Sequence, residues 1–465
     1  KKMWFFFLLV LCGVICYTCF RRRSNSEKKV VAVLVVGDVG RSPRMQYHAL
    51  SLADPQLGNA EVELIGYGGA RLPENIIQNP AIRMHLLRPF SFRLPAHLKA
   101  FFLLYAVVKI LYQLFQLFVV FLVTIEPPKY ILVQNPPSIP TLFVAHSVCF
   151  LTRSKLIIDW HNFGYTILGL SLGARHPLTR VSHIYERLFG KGAHANLCVT
   201  RAMQQHLANE WDVNCAVLHD HPPEKFRKLT PAEKHKLFKR LGNSDQFSDL
   251  NSWSDGLSSN ETLFTRQLSS GVCELRQDRP AIVVSSTSWT DDEDFSILLS
   301  AVKALEQKTD LPRVVLIITG KGPLKQHYEQ AISKMHLTRS KILTVWLSAE
   351  DYPSLLGAAD VGVSLHTSSS GLDLPMKVVD MFGCGLPVLA VDFKALPELV
   401  ENGINGLSFS SSDELTSHFV SLLSEFPQNT VELDRLGAAA ALRFGQGNRW
   451  SDNWRKHALP LFHKI

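Results

Sequence analysis

Short, mostly apolar runs recur along most of the chain and alternate with stretches of helical spacing. A first set lies at 29–36, 61–66, 131–134, 155–160 and 196–200, and a second set lies at 280–285, 314–319, 359–365 and 386–391. Short runs rich in β-branched residues are typical of strands that are buried on both faces of a parallel sheet. The pattern therefore predicts an α/β protein with two parallel sheets and right-handed crossovers.

The two sets of runs predict two Rossmann-like domains that face a cleft. The stretch 242–280 is rich in Ser, Asp and Asn, so we expect a flexible linker or a surface insertion there. This division gives a first domain at 30–241, which we expect to meet the membrane, a second domain at 281–448, and a C-terminal helix at 449–465.

The N-terminal 29 residues predict a membrane anchor. An uncharged apolar run at 3–20 is followed at once by Arg21, Arg22 and Arg23. The run suits a single uncleaved transmembrane helix better than a cleaved signal, and the basic flank places the body on the cytosolic side.

A second apolar stretch runs from Phe101 to Ile125. Lys109, Gln113 and Gln116 recur in it at helical spacing, with two tyrosines on the same face. We expect a helix that packs on its own domain and dips into the bilayer face. An ordinary buried core helix is the alternative.

Charge and cysteine usage narrow the class of protein. The net charge is +8, but residues 1–29 contribute +6 of it, from seven basic residues and one acid, so a nucleic-acid-binding body is disfavoured. Eight scattered cysteines without a CxxC pair form neither a disulfide framework nor a zinc site. We therefore expect a reduced, cytosolic catalytic part.

Two segments that follow predicted strands have the chemistry of a phosphate site. In the first, Lys321 stands between Gly320 and Gly322, directly before a predicted helix. In the second, the small residues Ser370 and Gly371 lead into a helix, and Lys377 and Asp380 share one face of that helix. Free N–H groups and a lysine at a helix N-terminus suit a diphosphate, and a carboxylate one turn later suits ribose hydroxyls.

The second segment resembles the donor-binding signature of glycosyltransferases of the GT-B fold. The shared pattern is Pro-x-Lys-x-x-acid followed by Gly-x-Gly-x-Pro-Val at 375–388. Retaining members of that class usually have two glutamates here. This chain has Asp373 and Asp380 at shorter spacing, which points away from a retaining enzyme.

The wider resemblance is to the β-1,4-mannosyltransferases of the dolichol pathway. It rests on the motifs at 37–45, 134–137, 159–162, 285–290 and 368–387. It implies an enzyme of the endoplasmic reticulum membrane that transfers mannose from GDP-mannose to GlcNAc₂-diphosphate-dolichol with inversion. It also suggests other dolichol-pathway mannosyltransferases as partners, and it places Ser286 and Trp289 in the donor-binding set.

Inversion by single displacement needs a general base and charge stabilisation on the leaving diphosphate. Asp38 and His161 each follow a predicted strand, and the choice between them as the base stays open, with Asp373 as a further catalytic candidate. Lys321 and Lys377 suit the leaving group, so we expect no metal or other cofactor.

Acceptor-binding candidates follow the first-domain strands. They are Gly40, Arg41, Arg44, Asn135, Asn162 and Tyr165. Arginines suit bidentate binding of the acceptor diphosphate. The run Asp291–Asp294 is expected to cap a helix and not to bind a metal.

Two other functions remain possible from the sequence alone. One is a lipid-linked sugar transferase with another donor, such as UDP-N-acetylglucosamine. The other is an inactive membrane scaffold, which the intact Lys321, Lys377 and Asp380 disfavour.

Overall fold

The computed structural model describes residues 29–92, 101–444 and 448–463. The predicted anchor lies outside the described residues, apart from Lys29. The chain forms two compact units. One ends at His219 and takes in the chain again from Asn453, and the other is Asp220–Asp452.

The first unit is built on a seven-stranded parallel sheet with the order β3-β2-β1-β4-β5-β6-β7. Its strands are β1 (Val30–Asp38), β2 (Glu61–Tyr67), β3 (Ile82–Leu87), β4 (Tyr130–Asn135), β5 (Lys155–Trp160), β6 (Ala195–Cys198) and β7 (Ala216–Val217). The central strand β1 is buried from Val30 to Val35, as its unbroken apolar run predicts.

Helices cover this sheet. They are α1 (Pro43–Ala53), α2 (Glu74–Ile77), α3 (Phe102–Val119), α4 (Thr141–Thr152), α5 (Gly164–Leu172), α6 (Pro177–Gly190) and α7 (Arg201–Trp211). A 3-10 turn, Val39–Arg41, connects β1 to α1, and a π-helical turn, Val120–Thr124, extends α3.

The second unit has a six-stranded parallel sheet with the order β12-β11-β10-β13-β14-β15. Its strands are β10 (Ala281–Thr287), β11 (Val314–Gly320), β12 (Ser340–Val345), β13 (Val361–Ser364), β14 (Val388–Val391) and β15 (Gly406–Phe409). Its helices are α8 (Pro231–Gly242), α9 (Asn251–Ser254), α10 (Phe295–Glu306), α11 (Lys325–Ile332), α12 (Asp351–Ala358), α13 (Met376–Gly383), α14 (Ser412–Leu423) and α15 (Val431–Arg443).

The segment 242–280 is folded, which corrects the expectation of a flexible linker. It contains the 3-10 helix Asp245–Leu250, the helix α9 and an antiparallel hairpin of β8 (Thr265–Gln267) and β9 (Cys273–Leu275). Phe247 and Phe264 join the core of the second unit, together with Phe238 of α8. The polar composition belongs to the outer surface, and a few large apolar side chains are enough to fix the segment. The division between the units accordingly falls at His219, before α8, and not at 241.

The C-terminal stretch folds as two short helices, α16 (Trp450–His457) and α17 (Leu459–His463). Trp454 is fully buried in the first unit, and its indole donates to Nδ1 of His48 at 2.9 Å. Its ring stacks on Phe462, which in turn contacts Tyr130 of β4. The end of the chain is therefore part of the first unit's core.

Helix α3 packs on its own unit along the predicted polar stripe. Gln116 bonds both backbone groups of Arg88, at 2.8 and 2.9 Å, and Tyr105 donates to the carbonyl of Phe92. The opposite face is apolar and exposed, so the buried-core alternative is wrong. Leu104–Thr124 is 22% buried and long enough to cross a membrane, with a mean hydropathy of 2.2.

Candidate functional site

A buried carboxylate, Asp159, organises the carboxyl edge of the first sheet. Asp159 is the next-to-last residue of β5 and is fully buried. Arg44 binds it through two nitrogens at 2.8 Å, and Nε2 of His48 lies 3.1 Å away. Burial alone would raise the pKa of Asp159, but the Arg44 guanidinium and His161 hold that pKa well below its ordinary value.

Arg44 was predicted to bind the acceptor diphosphate, but it is an internal partner of Asp159. Its side chain is 1% exposed, and its remaining nitrogen donates to the carbonyl of Leu218. The sequence predicts Arg44 as a ligand of the acceptor diphosphate because it follows the first strand closely. The helix instead turns Arg44 toward the sheet, where the buried carboxylate compensates its charge.

His161 is the member of this cluster that reaches the surface. Its Nε2 lies 2.8 Å from Asp159, and its side chain is 21% exposed. In the part of the chain that the structure describes, its Nδ1 has no hydrogen-bond partner. The acidic partner holds the proton on Nε2, which leaves Nδ1 as an acceptor. This geometry is that of an oriented general base.

The carboxylate of Asp38 is engaged in its own loop. One oxygen accepts from the backbone N–H of Gly40 at 3.0 Å, and the other accepts from Ala70 at 2.9 Å. A Cβ at Gly40 would lie 2.3 Å from the carbonyl oxygen of Ala70, so the loop needs glycine there. Arg41 lies beside Asp38 and is 67% exposed. Asp38 thus shapes a turn from which the exposed Arg41 projects.

Asn135 lies inside the unit and not on its surface, which corrects its place among the acceptor contacts. It is fully buried and donates to Glu186 at 2.6 Å. Glu186 also accepts from the backbone N–H groups of Gly164 and Tyr165 at the start of α5. Burial raises the pKa of the Glu186 carboxyl.

The neighbouring candidates Asn162 and Tyr165 are half-buried. The Asn162 side chain accepts from the backbone N–H of Phe163, and the Tyr165 ring packs 4.5 Å from His183. Sequence reasoning missed Glu186, which no motif marks.

In the second unit, two loops approach each other so closely that both glycines of the predicted phosphate loop are required. A Cβ at Gly320 would lie 1.8 Å from the carbonyl oxygen of Thr287, and one at Gly322 would lie 1.7 Å from that of Ser288. Lys321 projects between them and is exposed, with its Nζ 4.3 Å from the Trp346 ring centre. The glycines therefore serve the packing of the loops and leave Lys321 at the surface.

Glu293 is the partner of Lys377, the lysine predicted to bind phosphate. This carboxylate is 2% exposed and accepts from the Thr287 hydroxyl and the Ser288 backbone N–H. It also forms an ion pair with Lys377, whose side chain remains 26% exposed. Glu293 belongs to the acidic run that was expected to cap a helix. Asp294 does cap α10, by accepting from Ser296, but Glu293 reaches to α13 instead.

His366 lies between two acids beside this pair. Its Nδ1 is 3.1 Å from Asp292, and its Nε2 is 3.5 Å from Asp373. Burial opposes the charged ring, but hydrogen bonds to Asp292 and Asp373 raise the pKa of His366 to about 9. The pKa of Asp292 is lowered to about 2, chiefly by the His366 hydrogen bond working against burial. A positive charge therefore stands two residues after the end of β13 and two residues before the segment 368–387.

The remaining candidates for binding the donor sugar nucleotide differ in how far they are buried. Ser370 and Gly371 are half-buried at the turn before α13, where Gly371 has a φ of 71°. Asp380 is partly buried, and burial raises the pKa of its carboxyl well above the ordinary value. The hydroxyl of Ser286 is 3.1 Å from that of Tyr352.

Trp289 is corrected from a donor contact to a core residue. It is fully buried and packs on Phe295 and Tyr328, at 4.6 and 5.7 Å between ring centres. Its φ of 50° turns the chain back after β10.

Comparison with known proteins agrees with this architecture. Residues 279–425 match the family model described as "Glycosyl transferases group 1". The chain has a TM-score of 0.59 and 17% identity to the solved structure of Anabaena HepE in complex with UDP and glucose, over 92% of this chain and 98% of that one. This likeness shows the fold, and the fold is GT-B.

Several named relatives are much more similar in sequence to this chain than that solved structure is. The human protein called chitobiosyldiphosphodolichol beta-mannosyltransferase is 43% identical, over 95% of this chain and 94% of its own length. An Arabidopsis thaliana protein called UDP-glycosyltransferase TURAN is 42% identical, over 93% and 97%. By its identity to relatives over nearly its whole length, the chain belongs to the chitobiosyldiphosphodolichol beta-mannosyltransferase family of GT-B glycosyltransferases.

Proposed function

We propose that this protein transfers mannose from GDP-mannose to GlcNAc₂-diphosphate-dolichol and forms the β-1,4 linkage. The observation that carries the proposal is the near full-length identity to relatives of that name, at 43% for the human protein. The two half-sites supply the chemistry that the reaction needs. The first unit offers a base, His161, which Asp159 orients. The second unit offers a cation, Lys377, which is paired with Glu293.

In the proposed mechanism, Nδ1 of His161 takes the proton from the attacking hydroxyl of the acceptor. The oxygen bonds to the anomeric carbon as the bond to the diphosphate breaks, so the α-linked donor gives a β-linked product. Asp159 stabilises the imidazolium that forms on His161, since its carboxylate lies 2.8 Å from Nε2. We thus assign the base to His161, because Asp38 already accepts two backbone N–H groups.

The leaving GDP carries negative charge, which Lys377 and Lys321 are suited to stabilise. Lys377 is fixed by Glu293 and needs little rearrangement to meet an oxygen of the diphosphate. The charged His366 lies next to Asp373, and we assign both to the shape and charge of the donor pocket. Asp380 suits the ribose hydroxyls, as the sequence predicts. We expect no metal to be needed.

We propose that the first unit meets the cytosolic face of the endoplasmic reticulum membrane through α3. The pairing of β1 with β4 supports this orientation, because α3 lies between these strands in the chain. A single crossing of the bilayer by α3 would separate two paired strands. The exposed apolar face of the helix therefore lies along the membrane surface.

The identity of the donor nucleotide needs a separate test, since one relative is named as a UDP-glycosyltransferase. Membranes containing the protein are given radiolabelled GDP-mannose or UDP-N-acetylglucosamine with a GlcNAc₂-diphosphate lipid. We expect label from GDP-mannose alone, and we expect unlabelled GDP to compete more strongly than UDP. Transfer from the UDP sugar, with GDP without effect, would support the alternative donor and contradict the proposal.

A further inference from the structure

Helix α6 carries a row of exposed apolar side chains on one face. Leu178, Val181, Ile184 and Leu188 are spaced by three, three and four residues, and they are 36–64% exposed. This spacing places them on a single side of the helix. A helix that is covered only by water normally keeps such a face polar, so a partner is expected there.

The preceding helix, α5, extends this apolar surface. It packs against α6. None of its residues is buried, and Ile167 and Leu170 are 45% and 59% exposed. We call the pair of helices, Gly164–Leu172 and Pro177–Gly190, the α5–α6 hairpin.

The charged residues of the hairpin are all basic where they reach the surface. Arg180 and Arg187 of α6 are exposed, as is Arg175 in the turn between the two helices. Between Asp159 and Glu210 the chain has one acid, Glu186, and that side chain is fully buried. Basic side chains among exposed apolar ones fit a surface of anionic phospholipid headgroups. A second copy of the hairpin would bring like charges together and is disfavoured.

The hairpin also continues the apolar surface of α3. Helix α4 packs against both α3 and α6. Phe143 and Phe150 of α4 are exposed by 42% and 86% and lie seven residues apart, on one face. Among the described residues of the second unit, the exposed large apolar side chains form no such row: Val431 and Leu442 lie at opposite ends of α15, and Leu268 and Val272 lie in the β8–β9 hairpin.

We infer that the α5–α6 hairpin is a second membrane contact, which inserts its apolar face among the lipids and binds anionic headgroups through its arginines. The inference rests on the proposed function, since a lipid-linked acceptor requires the first unit to lie at a bilayer. The hairpin begins at Gly164, just after His161, and Glu186 binds its first backbone N–H groups. A membrane-bound hairpin thus fixes the height of the proposed base above the bilayer.

Lipid crosslinking tests the contact directly. The full chain, with a photoreactive amino acid at position 184, is reconstituted in vesicles of phosphatidylcholine with or without phosphatidylinositol. The control carries the same group at position 442, which is 83% exposed in the second unit. We expect lipid adducts at 184, more of them with phosphatidylinositol, and none at 442. Adducts to another polypeptide, or equal yields at both positions, would overturn the inference.

A charge variant tests the headgroup contact. Arg180→Gln combined with Arg187→Gln is compared with Lys303→Gln combined with Lys334→Gln, which removes the same charge from exposed positions of the second unit. In anionic vesicles the first variant should raise the apparent KM for the lipid acceptor by roughly 30-fold, the effect expected from losing the attraction of two basic residues. The control variant should leave it unchanged, and an equal effect in both would refute the headgroup contact.

Detergent solution separates this inference from the proposed function. With a short-chain acceptor in detergent, both variants should transfer mannose at the wild-type rate, because no bilayer is present. Absence of transfer by the wild type there would contradict the proposed function. Wild-type transfer together with no lipid adduct at position 184 would contradict the hairpin contact alone.

Discussion

Each unit holds its reactive side chain with one buried carboxylate, but the two carboxylates have different partners. Asp159 faces a fully buried arginine and two histidines, of which only His161 reaches the surface. Glu293 accepts from the Thr287 hydroxyl and the Ser288 backbone N–H and pairs with Lys377, which stays 26% exposed. In the first unit, Arg44 and Asp159 neutralise each other in the interior, and a His161 nitrogen that can accept a proton lies at the surface. The second presents a cation.

In the proposed function, this difference corresponds to a separate task for each half of the chain. A neutral acceptor nitrogen suits the hydroxyl of an acceptor sugar, and an exposed ammonium suits a leaving diphosphate. The local chemistry therefore agrees with a division in which the first unit serves the acceptor and the second unit serves the nucleotide sugar. Substitutions in each unit, and a change of pH, test that division.

Removal of the proposed base should have the largest effect. His161→Ala is expected to lower the rate of mannose transfer by about 10²–10⁴-fold, because general base catalysis contributes that much. Binding of GDP, measured by calorimetry, should be unchanged. Asp38→Asn is the comparison, and it should retain more activity because Asp38 shapes a turn. Full activity of His161→Ala would remove this residue as the base.

The two arginines near β1 should separate stability from function. Arg44→Ala leaves Asp159 buried without its main partner and is expected to lower the free energy of unfolding by about 3–5 kcal/mol. Arg41→Ala removes an exposed side chain, so thermal unfolding should be unchanged while the apparent affinity for the lipid acceptor falls. If affinity is also unchanged in Arg41→Ala, the acceptor role of Arg41 is wrong.

The cation of the second unit should control both the donor and the leaving group. Lys377→Ala is expected to reduce kcat/KM for GDP-mannose by about 10²–10³-fold, comparable to the loss of one donor to a developing negative charge. Lys321→Ala serves as a matched variant and should cost less, because Lys321 lies over Trp346 and has no acidic partner among the described residues. Equal losses in kcat/KM for the two variants would argue against a special role for the Glu293 ion pair.

The smallest effect concerns pH and His366. Its pKa is about 9 in the folded protein, against 6.5 for an ordinary histidine. The raised pKa means that the stabilisation is fully present below pH 6.5 and is lost as the pH rises through 9. Melting temperatures of the wild type should thus fall relative to those of His366→Gln across this window. Parallel curves for the two proteins would show that the ring is not charged in the fold.

The interior strands were predictable from the sequence, and the sheet edges were not. The strands β1, β2, β4, β5 and β6, like β10, β11, β13 and β14, follow from their short, mostly apolar runs. The missed parallel strands β3, β7, β12 and β15 are the edges of the two sheets. An edge strand is half exposed and short, so its pattern of apolar and polar residues is mixed. Ile82–Leu87, with only its two ends buried, is an example.

The site residues, like the strands, were only partly predictable from the sequence. Glycines and lysines that follow strands could be assigned from spacing, since the carboxyl ends of parallel strands meet at one edge. Buried carboxylates could not, because Asp159, Glu186 and Glu293 act through partners far away in the chain. Lys377 is 84 residues from Glu293, and Arg44 is 115 residues from Asp159. A short run such as Asp291–Asp294 also looks like a helix cap in the sequence, and only Asp294 has that role.

The stereochemistry of the product tests the central claim most directly. Purified membranes with GDP-mannose and a GlcNAc₂-diphosphate lipid should yield a trisaccharide lipid whose mannose is released by β-mannosidase and resists α-mannosidase. That result requires single displacement with one base, as assigned to His161. Release by α-mannosidase would mean retention of configuration and would contradict the account.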